Sequence, residues 1–537
     1  MATVNGSGGD DFVAGTDDAG GDDIYAGGGD DNVEGRDGDD TIYGGSGDDL
    51  LLGYDGSSTA SGSTVVGDDD GSSDTLYGAS GDDTLAGGDG DDLLYGGSDD
   101  DSVYGGDGND VVEGGSGDDL LYGGDGSDDI TAGLGSSTIF GGQGNDTVDI
   151  TDATNASDTV TVHGGSGNDT ILGASTAAFS SQLLYGGDGN DRIESGAGDD
   201  TVYGGGGDDV FAGTGGADTF FGGDGSDFFF ANNNFDGDTI FGGEGGSDQD
   251  EVSLSFNTDG VTVTYTGDEQ GTLSDASNTG SFEGIEQFTL SDNADSVDAS
   301  NDSVGISVSG RGGDDTLLGG SGNDLIYGGS SDDTLDGAGG DDTLYGGDNS
   351  DLIYGGSGAD TLYGGDGDDT LIGQGGTGED DSLFGGGGKD TIEYHKETDS
   401  IDGGSGDDRI VNVNATSNSV TTITGGTGTD TFVLDTTQGG TFTSNHLVDL
   451  SAGELQILGF TRDLITEFEN IELVETAASA RGDANANTIT AIGNYANTLS
   501  GEGGDDVIFA GAGDDVISGG GGNDILTGGT GDDVFQL

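Results

Sequence analysis

Between residues 71 and 149 an aspartate falls at every ninth position: Asp74, Asp83, Asp92, Asp101, Asp110, Asp119, Asp128 and Asp146, with Ser137 in the one substituted place. Carboxylates at a fixed interval can bind metal or move protons, and their surroundings decide which. Glycines fill the positions before each aspartate, and a large apolar residue follows two positions later, as in Leu94, Val103, Val112 and Leu121. The unit reads G-G-x-G-x-D-x-U-x, with U apolar, and is cleanest over residues 105–113.

One apolar side chain in nine residues cannot bury a core alone, but x-U-x has the length and alternation of a short strand with one inward residue. The units must stack. The glycine-rich half turns the chain through backbone conformations that cost glycine little, so the next strand lies on the opposite side. Two units make a coil of eighteen residues, and parallel stacking of coils sets Asp92 over Asp110. Carboxylates separated by about 4.8 Å, the spacing of neighbouring strands, repel unless a cation lies between them. Hard oxygen ligands from carboxylates and turn carbonyls suit Ca²⁺.

Composition agrees. The 537 residues include 121 Gly and one Met but no Pro, Cys or Trp, which is a repeat protein's usage. A formal charge of -100, from 108 acidic against 8 basic residues, keeps the metal-free chain expanded by self-repulsion. No basic patch exists to neutralise phosphate, so nucleic acid is not expected as a partner. A halophile's solvated surface would explain the acids but not their register. No stretch approaches transmembrane length, and the first residues lack the basic and apolar regions of a Sec signal.

The first block, 1–250, carries Asp22, Asp31, Asp40 and Asp49, then the run above, then Asp191, Asp200, Asp209, Asp218 and Asp227, with looser units at Asp169, Asp238 and Asp250. Loop inserts are expected near 53–73, 150–163 and 173–184. A β-rich insert over 251–309 contains two alternating runs, 252–256 and 261–265, whose connection reads as a β-hairpin. The second block, 310–433, carries Asp315, Asp324, Asp333, Asp342, Asp351, Asp360, Asp369, Asp381, Asp390, Asp399 and Asp408, with a stray unit at Asp430. A second β-rich insert, 434–500, offers Leu447, Val448, Leu450, Leu455, Ile457, Leu458, Phe460 and Leu464 for a small core. The last block, 501–537, carries Asp506, Asp515, Asp524 and Asp533. Phe282-Glu283-Gly284-Ile285-Glu286 and Phe468-Glu469-Asn470-Ile471-Glu472 match near the exits of the two inserts, which are expected to return the chain to the roll alike.

No capping domain is expected at either end, so a roll with open ends would continue into a second copy, head to tail. The residue after U points outward and is often aromatic: Tyr104, Tyr122 and Phe140, and again Tyr327, Tyr345 and Tyr363, recur every eighteen residues. Each trio should form a column, either stabilising the sheet or presenting a contact face for lateral packing or glycan.

No catalytic motif is found. His163, His395 and His446 lack ligand spacing. Pairs such as Asp39 and Asp40 have the residue types of a glycosidase, but the repeat already explains them. Arg481-Gly482-Asp483 spells a short adhesion tripeptide that an ordinary insert loop equally accounts for.

The runs of G-G-x-G-x-D-x-U-x resemble the RTX, or haemolysin-type calcium-binding, repeats over about two thirds of the chain. The resemblance implies an all-β parallel β-roll with many Ca²⁺ ions held by the in-register aspartates and turn carbonyls, and export by type I secretion to the extracellular space or cell surface. The ending Asp532-Asp533-Val534-Phe535 is similar to the acidic-then-apolar close of such secretion signals. Members usually attach the roll to an enzyme, toxin or adhesin domain, and none is visible here. The expectation is therefore a non-enzymatic, secreted structural protein that folds on Ca²⁺ and assembles with itself into a surface layer, filament or biofilm matrix. The alternative is an adhesin for cell-surface or matrix polysaccharide or a host surface, and a remoter one is a polysaccharide-acting enzyme or its accessory module.

Overall fold

A computed structural model describes residues 3–536 except 17–20, 37, 54–70, 153–157, 175–180, 232–234, 244–248, 375–379, 395–398, 414–421, 436–445 and 458–459. Every regular element among the described residues is a strand. The chain divides into two compact units, Met1–Leu254 with Thr272–Gln287 and Ser255–Gly271 with Phe288–Leu537. The segment 251–309 is thus shared between them.

In the first unit, Thr84–Asp89, Ser102–Asp107, Leu120–Asp125 and Thr138–Gln143 run parallel in one sheet. Leu93–Ser98, Val111–Ser116, Asp129–Leu134 and Thr147–Asp149 run parallel in the other. Successive strands alternate between sheets, so each residue pairs with one eighteen positions away, as Val103 does with Leu121 and Val112 with Ile130. That register puts every U side chain into one narrow interior, where Leu94, Val103, Val112 and Leu121 are wholly buried. The second unit repeats the plan, with Leu325–Ser330, Thr343–Asp348 and Thr361–Asp366 in one sheet and Thr334–Asp336, Leu352–Tyr354 and Thr370–Ile372 in the other.

Glycine is required where the coil turns. Gly106 and Gly108 have φ of 129° and 135°, a region closed to most L-residues.

The inserts differ from expectation. No hairpin joins 252–256 to 261–265: Glu251–Ser253 pairs in parallel with Phe228–Phe230, and Thr262–Gly267 with Ser296–Asp298. Alternation alone cannot separate a hairpin strand from a coil strand, because both show one face inward. Within 434–500, only His446–Asp449, Glu454–Ile457 and Phe460–Thr466 form an antiparallel meander, in which Val448 and Leu455 are fully buried. Leu458 lies outside the described residues. The remainder, Asn470–Val474, Ala478–Arg481, Thr488–Ile492 and Thr498–Ser500, consists of parallel coils of the roll. The loop expected near 53–73 falls largely, and those near 150–163 and 173–184 partly, outside the described residues, but Thr161–Ser166 and Leu183–Asp188 are regular strands of the roll.

Candidate metal centres

Each turn delivers its aspartate inward at the corner where one strand ends and the next begins. There the backbone N–H of one aspartate donates to Oδ1 of the aspartate one coil later: Asp74 to Asp92, Asp92 to Asp110 and Asp110 to Asp128, at 2.7 to 2.8 Å. The link propagates from Asp22 through Asp40, Asp74, Asp92, Asp110, Asp128, Asp146, Asp169, Asp191, Asp209 and Asp227 to Asp250. A second column on the other edge joins Asp31, Asp49, Asp83, Asp101 and Asp119, ending on the Ser137 hydroxyl. Asp200, Asp218 and Asp238 continue that edge from Gln182.

In the second unit one column holds Asp295, Asp315, Asp333, Asp351, Asp369, Asp390, Asp408 and Asp430, and the other Asp324, Asp342, Asp360, Asp381 and Asp399. Asp506 with Asp524, and Asp515 with Asp533, extend the pattern. Every aspartate expected at a ninth position is thereby in a column, and the units at Asp169, Asp238, Asp250 and Asp430 belong as well.

These contacts use half of each carboxylate. The second oxygen, Oδ2, is buried without a hydrogen-bond partner at Asp83, Asp101, Asp110, Asp119, Asp128 and Asp146 in the first unit, and at Asp315, Asp333, Asp342, Asp351 and Asp369 in the second. A buried carboxylate oxygen with no donor costs several kcal/mol. The surroundings of that oxygen are other oxygens. A β-carbon on Gly96 would sit 2.5 Å from Oδ2 of Asp101 and 2.7 Å from the carbonyl oxygen of Gly114, so two acceptors converge where the glycine leaves space. Gly328, with Asp333 Oδ2 at 2.5 Å and the Gly346 carbonyl at 2.8 Å, repeats the arrangement.

Burial pushes the Asp110 carboxyl up to about 8, the Asp92 N–H opposing the shift and the carboxylates of Asp92 and Asp128 adding to it. Asp227 and Asp315 rise to about 8 and Asp351 to about 7 for the same reasons. Anionic charge stays at these corners only with a counter-cation. Among the described residues no three acidic or histidine side chains converge on one point, so a cation here would take one or two carboxylates and complete its shell with main-chain carbonyls. Several oxygens and no nitrogen or sulfur form the donor set of Ca²⁺. The residues fit the ion, and its charge would supply what the columns lack.

Six column residues escaped the sequence reading, among them Asp295, which heads a column by donating its N–H to Asp315. Gln182, Asn487 and Asn497 stand where aspartate is expected, each bonding through its backbone N–H to Asp200, Asp506 and Asp515. The signal was the following x-U, Thr488-Ile489 and Thr498-Leu499, read without requiring the acid. Glu286 and Glu469 end columns by accepting the N–H of Asp250 and Asp430, both at 2.8 Å. The two matched pentapeptides therefore do not return the chain alike: the corner glutamate is the last residue of one, Glu286, and the second of the other, Glu469, and the residue paired inward is Phe282 in one and Ile471 in the other.

The outward aromatics stack ring on ring. Tyr104, Tyr122, Phe140, His163, Tyr185, Tyr203, Phe221 and Phe241 form one ladder at 4.7 to 5.0 Å, and Tyr327, Tyr345, Tyr363 and Phe384 another at the same spacing. Ring faces are turned to each other, leaving edges outward, which favours the sheet-stabilising role over sugar stacking. Burial holds the His163 imidazole below its ordinary value. His395 lies outside the described residues. The adhesion tripeptide is tied down: Arg481 pairs with Glu502 at 2.8 Å, and Asp483 accepts from the Asn485 side chain at 2.7 Å.

The family model described as RTX calcium-binding nonapeptide repeat (4 copies) matches residues 16–51, 25–59, 68–103, 104–139, 122–149, 160–175, 182–211, 203–237, 309–344, 345–378, 376–395, 396–411, 492–526 and 500–535, more than half of the chain. No curated protein matches it.

Proposed function

Because this chain belongs to the RTX calcium-binding nonapeptide repeat family, whose members are typically exported and extracellular, we propose that it is a secreted, non-enzymatic structural protein that folds on Ca²⁺ outside the cell and assembles with itself into a surface layer, filament or matrix. Type I secretion is the export route this reading takes. The observation that carries the calcium-driven folding is the series of buried Oδ2 atoms with no donor, as at Asp101 and Asp110. Their burial is unfavourable in the metal-free chain and favourable once a cation joins neighbouring corners. Extracellular calcium modules bind with Kd of about 10⁻⁴ to 10⁻³ M, which leaves the calcium-dependent coils of such a chain unfolded in a calcium-poor cytosol.

Self-assembly draws support from a second set of carboxylates. Asp82, Asp100 and Asp118 line the outside of one corner, each accepting on Oδ1 an N–H from the next coil. Asp89, Asp107 and Asp125 lie in register beside the opposite corner. Two rolls approaching laterally present like charge, so divalent cations favour their contact and set its calcium dependence. Electron microscopy of the protein titrated from EGTA into millimolar Ca²⁺, with circular dichroism alongside, tests this. Filaments or sheets arising with β-structure are expected, and discrete rods at every concentration would refute assembly and bring the adhesin reading forward.

A further inference from the structure

The corner positions are not all alike. Asp324 accepts on Oδ1 the N–H of Ile306 at 2.9 Å and on Oδ2 the N–H of Gly320, four residues earlier, at 2.8 Å. Asp295 takes the Val261 N–H on Oδ1 at 2.7 Å and the Ser291 N–H on Oδ2 at 2.8 Å, with the Ser291 hydroxyl at 2.9 and 3.0 Å. Asn487 goes further. Its Oδ1 accepts the Asp483 N–H at 2.8 Å and its Nδ2 donates to the Glu469 carbonyl, one coil back, at 2.8 Å.

The cause lies four residues before each corner. Ahead of Asp110, Asp342, Asp351 and Asp315 stand Gly106, Ala338, Gly347 and Arg311, all at positive φ between 65° and 129°. In that conformation the N–H does not reach the carboxylate, and Oδ2 of each of these four aspartates is left with no donor. Ser291, Gly320 and Asp483 are not in the left-handed region, and their N–H groups enter the corner. An inward N–H presents partial positive charge to the same oxygen that a cation would need, and it also obstructs the ion's approach. At Asn487 the formal charge is absent too.

We propose that the corners at Asp295, Asp324 and Asn487 bind no calcium, and that the strands they anchor stay folded in the metal-free chain as seeds from which calcium-dependent coils extend. This rests on the calcium reading above and divides the corners into two classes. The closed class reproduces with main-chain donors what the ion supplies to the open class. Solenoid stability is a sum of local and nearest-neighbour contributions, so part of the roll can persist while its neighbours unfold.

Hydrogen exchange followed by mass spectrometry on the full chain, in EGTA and in calcium at a hundred times its Kd, separates the classes. Strands Thr343–Asp348 and Thr361–Asp366, which lead into open corners, are expected to exchange about 100-fold more slowly with calcium. Strands Ser296–Asp298 and Thr488–Ile492 are expected to exchange slowly in both. If these two exchange in EGTA as fast as Thr343–Asp348, the inference is overturned while the calcium reading stands. If no strand slows on adding calcium, both fall. Native mass spectrometry of the calcium-loaded protein gives a second readout: Asp342→Asn should lower the number of bound ions, and Asp324→Asn should leave it unchanged. Equal loss in both variants would refute the division.

Discussion

The backbone N–H of Asp92 donates to Oδ1 of Asp110 at 2.8 Å, eighteen residues on, while Oδ2 of Asp110 is buried with no donor. One oxygen holds the coils in register, and the other is buried without a main-chain or side-chain donor. On the calcium reading proposed above, the same carboxylate stabilises the stack when the ion is bound and opposes it otherwise, and the consequences can be measured.

Asp110→Asn keeps an acceptor for the Asp92 N–H but removes the charge. In saturating calcium the variant is expected to lose about 1 to 3 kcal/mol of stability, the scale of a lost charge-assisted contact. In EGTA it should retain more β-structure than the parent, because a buried unpaired charge is gone. Thermal unfolding followed by circular dichroism under both conditions gives the two signs, and destabilisation in both would contradict the metal assignment.

The metal-free fold should prefer acid. Burial raises the folded-state carboxyls of Asp110, Asp227 and Asp315 to about 8 from the ordinary 3.8, so the folded state binds more protons than the unfolded state between these values. Stability in EGTA is then greatest below about pH 4 and falls as the pH rises towards 8. Calcium reverses the trend, because it binds the deprotonated form and releases protons. Far-ultraviolet circular dichroism across pH 4 to 8, with and without calcium, distinguishes this from a roll whose acids titrate normally.

Ala79 and Ala338 occupy the second turn position at φ of 89° and 65°, where glycine is usual. Ala79→Gly and Ala338→Gly should each stabilise the calcium-loaded protein by about 1 kcal/mol, since the left-handed region costs L-residues about 1 to 2 kcal/mol. Gly106→Ala should do the reverse, its new β-carbon also meeting the Gly88 carbonyl. A calorimetric ranking of the three variants checks the order.

Tyr345 lies between Tyr327 and Tyr363 with ring centres 4.7 Å away on both sides. Tyr345→Ala removes two stacking contacts and should cost about 1 to 3 kcal/mol, whereas Tyr345→Phe should cost little. Urea unfolding in calcium measures both, and an equal loss would mean that the hydroxyl, not the ring, carries the contribution.

The nine-residue period fixed the length of the coil, the inward residue of each strand and the aspartates of the columns, because all three follow from local alternation and spacing. Val103, Val112 and Asp110 needed no distant partner to be placed. Asn487 and Asn497 were missed because their acid is absent, although Thr488-Ile489 and Thr498-Leu499 keep the local pattern; parallel pairing with strands eighteen and nineteen residues away places them. The hairpin expected around residues 257–260 failed because alternation does not name a strand's partner. The division of the corners was hidden altogether. Gly320 and Gly347 are the same residue in the same place before Asp324 and Asp351, yet only Gly347 is left-handed. That difference is a backbone angle, which no residue type announces, and it decides whether the second oxygen of the aspartate receives a main-chain N–H.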